Sequence, residues 1–349
     1  MKPAPFAYRK ARALEEAVAV LGEHADAKLL AGGQSLIATL NMRLSAPSLL
    51  IDINGISGLD GIAVKDGAIE IGALTRHAQA ERSDVIAKHA PLIARAMPHI
   101  GHAAIRNRGT LGGSIAFADP AAELPACLLA LDGEVEVSGP KGKRTIKAQD
   151  FFKGLFETAL EPQDVLTAIR VPAATSATRV GFAELARRHG DYAMVGLAAT
   201  ARADGKGLAD VRLAYFGVGA TPLRVKKSEA ALASGDIEAA VSALDLDPPD
   251  DIQADGATVE TIEGLSDSGA VADLQAAFEQ RNALQCGYCT PGMLATAQDL
   301  LGKGGVPSRE EIREHISGNY CRCTGYHAIV DAVEAVAKAR SRAGAGNKP

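Results

Sequence analysis

Four of the five cysteines in this 349-residue chain stand in one window, as Cys286-Gly287-Tyr288-Cys289 and Cys321-Arg322-Cys323. Thiol pairs this tight need short, fixed segments to hold them, and residues 290–320 between them have the apolar spacing of a helical hairpin. The start, Met1-Lys2-Pro3-Ala4-Pro5, leads into no secretory signal. No apolar run reaches the roughly 20 residues of a membrane span, so the expected location is cytoplasmic. In a reducing compartment, crowded thiols point to metal ligation more than to disulfides. Zinc sites commonly pair two CxxC elements, whereas one CxxC with one CxC suits a two-iron cluster bridged by sulfides; on spacing alone structural zinc stays open. Each pair runs into a helix-start signal, Thr290-Pro291 and Thr324-Gly325, with Thr290 as a cap. Two helix N-termini are therefore expected to face an anionic centre. Cys127, within the apolar residues 124–129, reads as a buried small hydrophobe.

The rest of the chain is mixed α and β. Leu14, Ala17, Val18 and Leu21 share one face of an expected helix, and the apolar residues 27–31 after it form a strand that runs into Gly32-Gly33. Residues 62–71 read as a hairpin around Asp66-Gly67, residues 165–171 as a strand closed by Pro172, and a boundary is expected at residues 173–178. Strand-like runs at 193–201 and 211–218 precede helical residues 227–234 and 237–244. Asp247-Pro248-Pro249-Asp250-Asp251 reads as an extended connector, and Ser308 with Glu311 has the spacing of a capping box. Basic and acidic residues, 37 against 42, are interspersed, so no positive stripe exists to hold nucleic acid. With no tryptophan and 4% aromatics, the composition argues against stacking platforms for bases or sugars.

Two glycine loops carry the remaining chemistry. Leu29-Leu30-Ala31-Gly32-Gly33-Gln34-Ser35-Leu36 passes from a strand into a helix, where backbone amides can hold a phosphate oxygen. An ordinary tight turn is the competing reading for this loop alone. A second loop, Arg106-Asn107-Arg108-Gly109-Thr110-Leu111-Gly112-Gly113-Ser114, supplies the pair that a dinucleotide pyrophosphate between two subdomains needs, and the spacing is not that of a nicotinamide-binding Gly-x-Gly-x-x-Gly site.

With residues 71–77 (Ile-Gly-Ala-Leu-Thr-Arg-His), 118–125 and 187–193, these runs resemble, in order over residues 1–250, the FAD-binding medium subunit of the carbon monoxide dehydrogenase and xanthine dehydrogenase family, the molybdenum hydroxylases. The cysteine runs at 284–293 and 318–326 resemble the helical C-terminal domain of the family's small iron–sulfur subunit. The resemblance implies an α+β chain. Its parts are a PCMH-type, vanillyl-alcohol-oxidase-like FAD fold of two α/β subdomains (1–57 and 58–174), a truncated α/β C-terminal flavoprotein domain (176–250), a junction (251–265) and an all-α four-helix [2Fe-2S]-binding domain (266–342). It implies that both glycine loops bind the FAD pyrophosphate and that Glu123, with Asp119 as a second candidate, lies toward the flavin. Cys286, Cys289, Cys321 and Cys323 are the implied [2Fe-2S] ligands. Tyr192 is either near the flavin or in the core, and Phe117 stands where relatives often have histidine. No residue is assigned a catalytic role, and no metal-ligand spacing links the scattered histidines His77, His99, His102, His189 and His327.

Small subunits of this family begin with a plant-type ferredoxin domain, whose C-x4-C-x2-C ligands have no counterpart in these 349 residues; Gln253 to Leu265 resembles only that domain's last strand. The expected role is an oxidoreductase subunit that takes electrons from a large molybdopterin-binding subunit and passes them through FAD to an external acceptor. A ferredoxin-type [2Fe-2S] protein would supply the missing centre. The alternatives are a free-standing flavoprotein with structural zinc and a fusion remnant whose strand edge at 259–262 promotes association.

Overall fold

The computed structural model describes residues 3–205, 207–244, 260–321 and 323–345. It divides into two compact units, residues 1–253 and 254–349.

The first unit is built on three main sheets. Strands Ala7–Lys10, Leu49–Asp52 and Lys28–Leu30 form a parallel sheet with Leu49–Asp52 in the middle. The helix Leu14–Glu23 covers it, burying Ala17, Val20 and Leu21, while Leu14 and Val18 are partly buried at its edge. The central strand Leu-Leu-Ile is buried on both faces, as its unbroken apolar run requires. Strand Ala7–Lys10 escapes a reading of periodicity because Tyr-Arg-Lys lies exposed at the sheet edge.

A five-stranded antiparallel sheet follows, in the order Ile62–Lys65, Ala68–Gly72, Val165–Pro172, Glu134–Gly139, Gly142–Lys147. The hairpin at Asp66-Gly67 forms as expected, with both turn residues at positive φ, which suits a type I′ turn. A four-stranded antiparallel sheet joins Thr178–Leu185, Val195–Asp204, Gly207–Phe216 and Leu223–Arg224, backed by helix Lys226–Ala233.

Helix Glu123–Ala130 lies between the last two sheets and is buried along its whole length. Its Leu124, Ala126, Cys127 and Leu128 share one core with Ile69, Ile71 and Val135 on one side and Ala198, Ala214 and Phe216 on the other. Thr200 Oγ1 donates to the Ala130 carbonyl across 2.8 Å, which satisfies a buried helix-end oxygen. Cys127 is fully buried, and its thiol is pushed up by that burial, so it behaves as the expected inert hydrophobe.

The second unit is helical: Ile262–Asp267, Ala272–Gln280, Thr290–Gly302, Arg309–His315 and His327–Ala345. Val271, Leu274, Phe278, Met293, Ile312, Ile329, Val330 and Val333 make its core. The Ser308–Glu311 capping box forms in both directions, at 2.7 and 3.2 Å. Arg340 Nε and Nη2 bond Asp273 at 2.8 Å, and its Nη2 also donates to the Ala270 carbonyl at 3.2 Å and to Gln298 at 3.0 Å, tying three helices together.

Two local expectations change. Thr290 does not cap its helix; Cys289 holds the N-cap position, and Thr290 Oγ1 is buried without a hydrogen-bond partner. Ile262 is not strand: Thr261 Oγ1 accepts from Gly264 N at 3.3 Å and starts the helix Ile262–Asp267, so a local cap overrides the strand pattern borrowed from a missing sheet. The connector at 247–251 and remnant residues 253–259 lie outside the described residues.

Candidate cofactor sites

The first glycine loop is an array of unspent amides. Leu29 and Leu30 end strand Lys28–Leu30, Ala31 to Ser35 form the turn, and Leu36 opens helix Leu36–Asn41. The N–H groups of residues 32–36 make no hydrogen bond among the described residues. Gly33 has φ +73°, a left-handed conformation that turns successive N–H groups toward one side. A Cβ on Gly32 would come within 2.3 Å of the Arg108 carbonyl oxygen and 2.8 Å of Gly109 Cα, so glycine at 32 lets the two loops touch.

The second loop is built differently. Thr110 caps helix Leu111–Phe117 by accepting from Gly113 N at 3.1 Å. The amides of Leu111 and Gly112 donate to the carbonyls of Thr75 and Ala73, at 3.0 and 2.9 Å. A Cβ on Gly112 would meet Ala73 Cβ at 2.5 Å. These glycines serve close packing, and the amides of 111–113 are already used. What this loop brings to the first is its Arg108–Gly109 backbone, against which Gly32 packs, while Ser114 stays half-buried.

Arg76 and Asn54, which sequence reasoning did not single out, staple the loops. Asn54 Nδ2 donates to the Ala31 carbonyl at 2.8 Å, and Arg76 bonds Asn54 Oδ1 at 2.6 Å and the Arg108 carbonyl. Burial and then the neighbouring Arg108 charge lower the Arg76 pKa, outweighing the opposite pull of the Asp52 carboxylate. Both residues border a cavity of about 330 Å³ with Ser57, Asp60, Leu74 and Gln79. His77 lies beneath the second loop, 5% exposed, and neither ring nitrogen makes a hydrogen bond. Burial, opposed only by the Thr110 backbone, holds its pKa down to about 4, so it is neutral.

Glu123 is buried at the first turn of its helix; burial pushes its carboxyl up to about 8, with Glu184 and Asp119 adding repulsion. Asp119 Oδ1 accepts from Ala121 N at 2.9 Å, a turn-forming bond, and burial raises its pKa too. Tyr192 is 73% exposed, which rules out the core role. Phe117 packs against Phe156, ring centroids 5.1 Å apart.

In the helical unit the four cysteines converge in twos. Cys323 and Cys286 sulfurs lie 3.4 Å apart, and Cys289 pairs with Cys321. Each pair takes one thiol from the CxxC and one from the CxC. Among the described residues no three His, Cys, Asp or Glu side chains converge as one metal ion would need. Burial and the Cys321 contact push the Cys289 thiol up to about 11. At Cys321 burial also acts to raise the pKa, but the Thr324 hydroxyl and amide, at 3.1 and 3.4 Å from its sulfur, outweigh it and lower the value. Tyr326, at φ +67°, accepts from Cys321 N at 2.9 Å and donates to the Asn319 carbonyl at 3.1 Å, which fixes the CxC segment. A hollow of about 710 Å³ near His315 is bordered by none of the cysteines.

Both donor sets fit the groups the sequence implies: free amides in a loop stapled by the Arg76 guanidinium suit a pyrophosphate, and two thiol pairs suit two bridged irons. Residues 4–174 match the FAD binding domain in molybdopterin dehydrogenase, residues 181–244 the CO dehydrogenase flavoprotein C-terminal domain, and residues 261–334 a [2Fe-2S] binding domain. The 6-hydroxypseudooxynicotine dehydrogenase complex subunit alpha of Paenarthrobacter nicotinovorans is 42% identical over 257 residues, 71% of this chain and 87% of that subunit. The chain belongs to the medium-subunit family of the molybdenum hydroxylases. Among solved structures, carbon monoxide dehydrogenase from Hydrogenophaga pseudoflava aligns with a TM-score of 0.71 at 38% identity, covering 73% of this chain and 93% of that one. The last part of the chain is similar to a different subunit. There the nicotine 6-hydroxylase small subunit of Paenarthrobacter nicotinovorans is 53% identical over 81 residues, 23% of this chain and 48% of that subunit. This family member is thus an oxidoreductase component for electron transfer that carries both an FAD-binding and a [2Fe-2S]-binding domain. Among the described residues no helix is long and apolar enough to cross a membrane.

Proposed function

We propose that this chain, in the cytoplasm, accepts electrons from a separate molybdopterin-binding subunit and delivers them to an external acceptor through FAD. The observation that carries the flavin half is the run of unspent amides at residues 32–36, in a loop that packs against the Arg108 backbone and is stapled to it by Asn54 and Arg76. Leu29 to Leu36 with Arg76 would hold the pyrophosphate. Thr110 to Ser114 would brace that loop, with the Thr110 and Ser114 hydroxyls as its remaining donors. Glu123, with Asp119, would lie toward the isoalloxazine. FAD supplies the two-electron to one-electron step; the chain's part is to fix its phosphates, exclude water with the Glu123–Ala130 helix, and hold a proton on Glu123.

Cys286, Cys289, Cys321 and Cys323 would ligate the [2Fe-2S] cluster, with Thr324 and the helix start at Thr290 donating toward its charge. Since the fifth cysteine is buried Cys127, these 349 residues hold no ligands for a second cluster. A ferredoxin-type protein would therefore complete the relay between cluster and flavin. The organisation behind this reading is the five-part division given above: 1–57, 58–174, 176–250, 251–265 and 266–342.

The test is an absorption spectrum before and after dithionite, with iron and zinc measured on the same sample. Flavin bands, bleachable long-wavelength absorbance and about two irons per chain are expected. Zinc without iron, or no flavin, would overturn the corresponding half.

A further inference from the structure

We infer that the Thr324 hydroxyl sets the reduction potential of the cluster by donating an O–H···S hydrogen bond to Cys321. The inference deepens the [2Fe-2S] reading and rests on the four cysteines being the cluster's ligands.

Thr324 follows the CxC segment as Thr290 follows the CxxC, yet the two hydroxyls stand differently. Thr290 Oγ1 is buried and makes no hydrogen bond. Thr324 Oγ1 lies 3.1 Å from the Cys321 sulfur, and the Thr324 amide donates to the same sulfur at 3.4 Å. Thr324 and Cys321 are both half-buried, so water competes less for this contact than at the exposed Cys286 and Cys323.

Which atom carries the hydrogen follows from the surroundings. A hydroxyl has one proton to give and two lone pairs. Tyr326 N donates to Thr324 Oγ1 at 3.2 Å, which occupies one lone pair and leaves the proton available. A sulfur that ligates iron is a thiolate without a proton, so across the 3.1 Å contact only the hydroxyl can donate. Tyr326 is held in turn, because its own hydroxyl accepts from Cys321 N at 2.9 Å and donates to the Asn319 carbonyl at 3.1 Å. The bonds from Cys321 N to Tyr326, from Tyr326 N to Thr324 and from Thr324 to the Cys321 sulfur close a cycle, in which each residue fixes the next.

Reduction adds one electron to two bridged irons, and part of the new negative charge falls on the cysteine sulfurs. No bond to the protein breaks and no proton has to move. A donor already aimed at a ligand sulfur holds the reduced form more strongly than the oxidised form, because the sulfur is more negative after reduction. The two donors on Cys321 therefore raise the potential, and the hydroxyl is the one that a substitution removes without altering the backbone.

The test is a redox titration of the full chain, loaded with FAD and cluster and read by the low-temperature electron paramagnetic resonance of the reduced cluster. At the wild-type midpoint the reduced-to-oxidised ratio of Thr324→Val is expected to fall about tenfold, which is a midpoint lower by about 59 mV for a one-electron couple, while Thr324→Ser stays within about twofold of wild type. Tyr326→Phe loosens the same segment but keeps the Thr324 hydroxyl, and its ratio is expected to change by less than about threefold. An unmoved midpoint in Thr324→Val, or an equal fall in Tyr326→Phe, overturns the inference. Should Thr324→Val hold no iron, Thr324→Ala decides by the same titration. Loss of iron from both, with iron kept by Thr324→Ser, assigns the hydroxyl to cluster assembly instead and also overturns it. Zinc in place of iron in the wild-type chain would sink the cluster reading itself, whereas iron present with an unmoved midpoint sinks only the role of Thr324.

Discussion

The helical unit gathers its site from four side chains on two short segments, whereas the α/β unit gathers its own from backbone amides and charges spread from Leu29 to Glu123. In the first, chemistry resides in residue type: only a thiol supplies what Cys286, Cys289, Cys321 and Cys323 supply. In the second it resides in what is missing. Gly32 lacks the Cβ that would strike Arg108, and the amides of 32–36 lack partners. A thiolate site therefore fails by losing a ligand, and an amide site fails by gaining an atom.

The largest effect expected from this contrast is in Cys321→Ser, which should abolish the long-wavelength absorbance and the iron while leaving the flavin content unchanged. Iron and flavin quantified on one sample check it; parallel loss of both would show that the two regions are not independent. Next, Gly112→Ala forces a Cβ to within 2.5 Å of the Ala73 methyl. It should cost the α/β unit about 1–3 kcal/mol, seen as a lower melting temperature and reduced FAD occupancy with iron retained.

Arg76→Ala should weaken FAD binding roughly tenfold or more, given about 1.5–3 kcal/mol for a hydrogen bond to a charged group, as read by flavin titration of apoprotein. An unchanged affinity would remove Arg76 from the anion site.

The acids of the α/β unit give a pH effect of definite sign. The folded chain holds Glu123 up to about 8 through burial, and the unfolded chain releases that proton at the ordinary carboxylate value. The stabilisation from the neutral form is complete below the unfolded value and is lost as pH rises through about 8. Calorimetric melting of this unit should fall across that window with a slope on the order of one proton per molecule, and Glu123→Gln should flatten it. Smallest is Ser308→Ala, which removes one half of a capping box and should cost the helical unit about 1 kcal/mol in denaturant unfolding, without change in flavin content.

The cysteine motif was legible because its ligands are close in sequence and rare in type. The capping box, the Asp66-Gly67 hairpin and buried Cys127 were legible because each depends on a few neighbouring residues. Strand Ala7–Lys10 was not, since an exposed edge strand carries no apolar alternation, and Ile262 was misassigned because a Thr261 cap outweighs β-branching where no sheet is present to pair with. His77 and Glu184 gave no local signal at all; what marks them is burial and missing partners, which composition does not encode.

By itself the sequence determined the residue types: four thiols in two tight pairs, two glycine loops at strand and helix ends, and too few cysteines for a second cluster. The tertiary structure decided their division of labour. It spent the second loop's amides on Thr75 and Ala73 and left the first loop's free, and it brought His99 to within 3.9 Å of Glu184 from a distant part of the chain. Hydrogen-bond saturation and burial are sums over the whole fold, so no local stretch of residues specifies them.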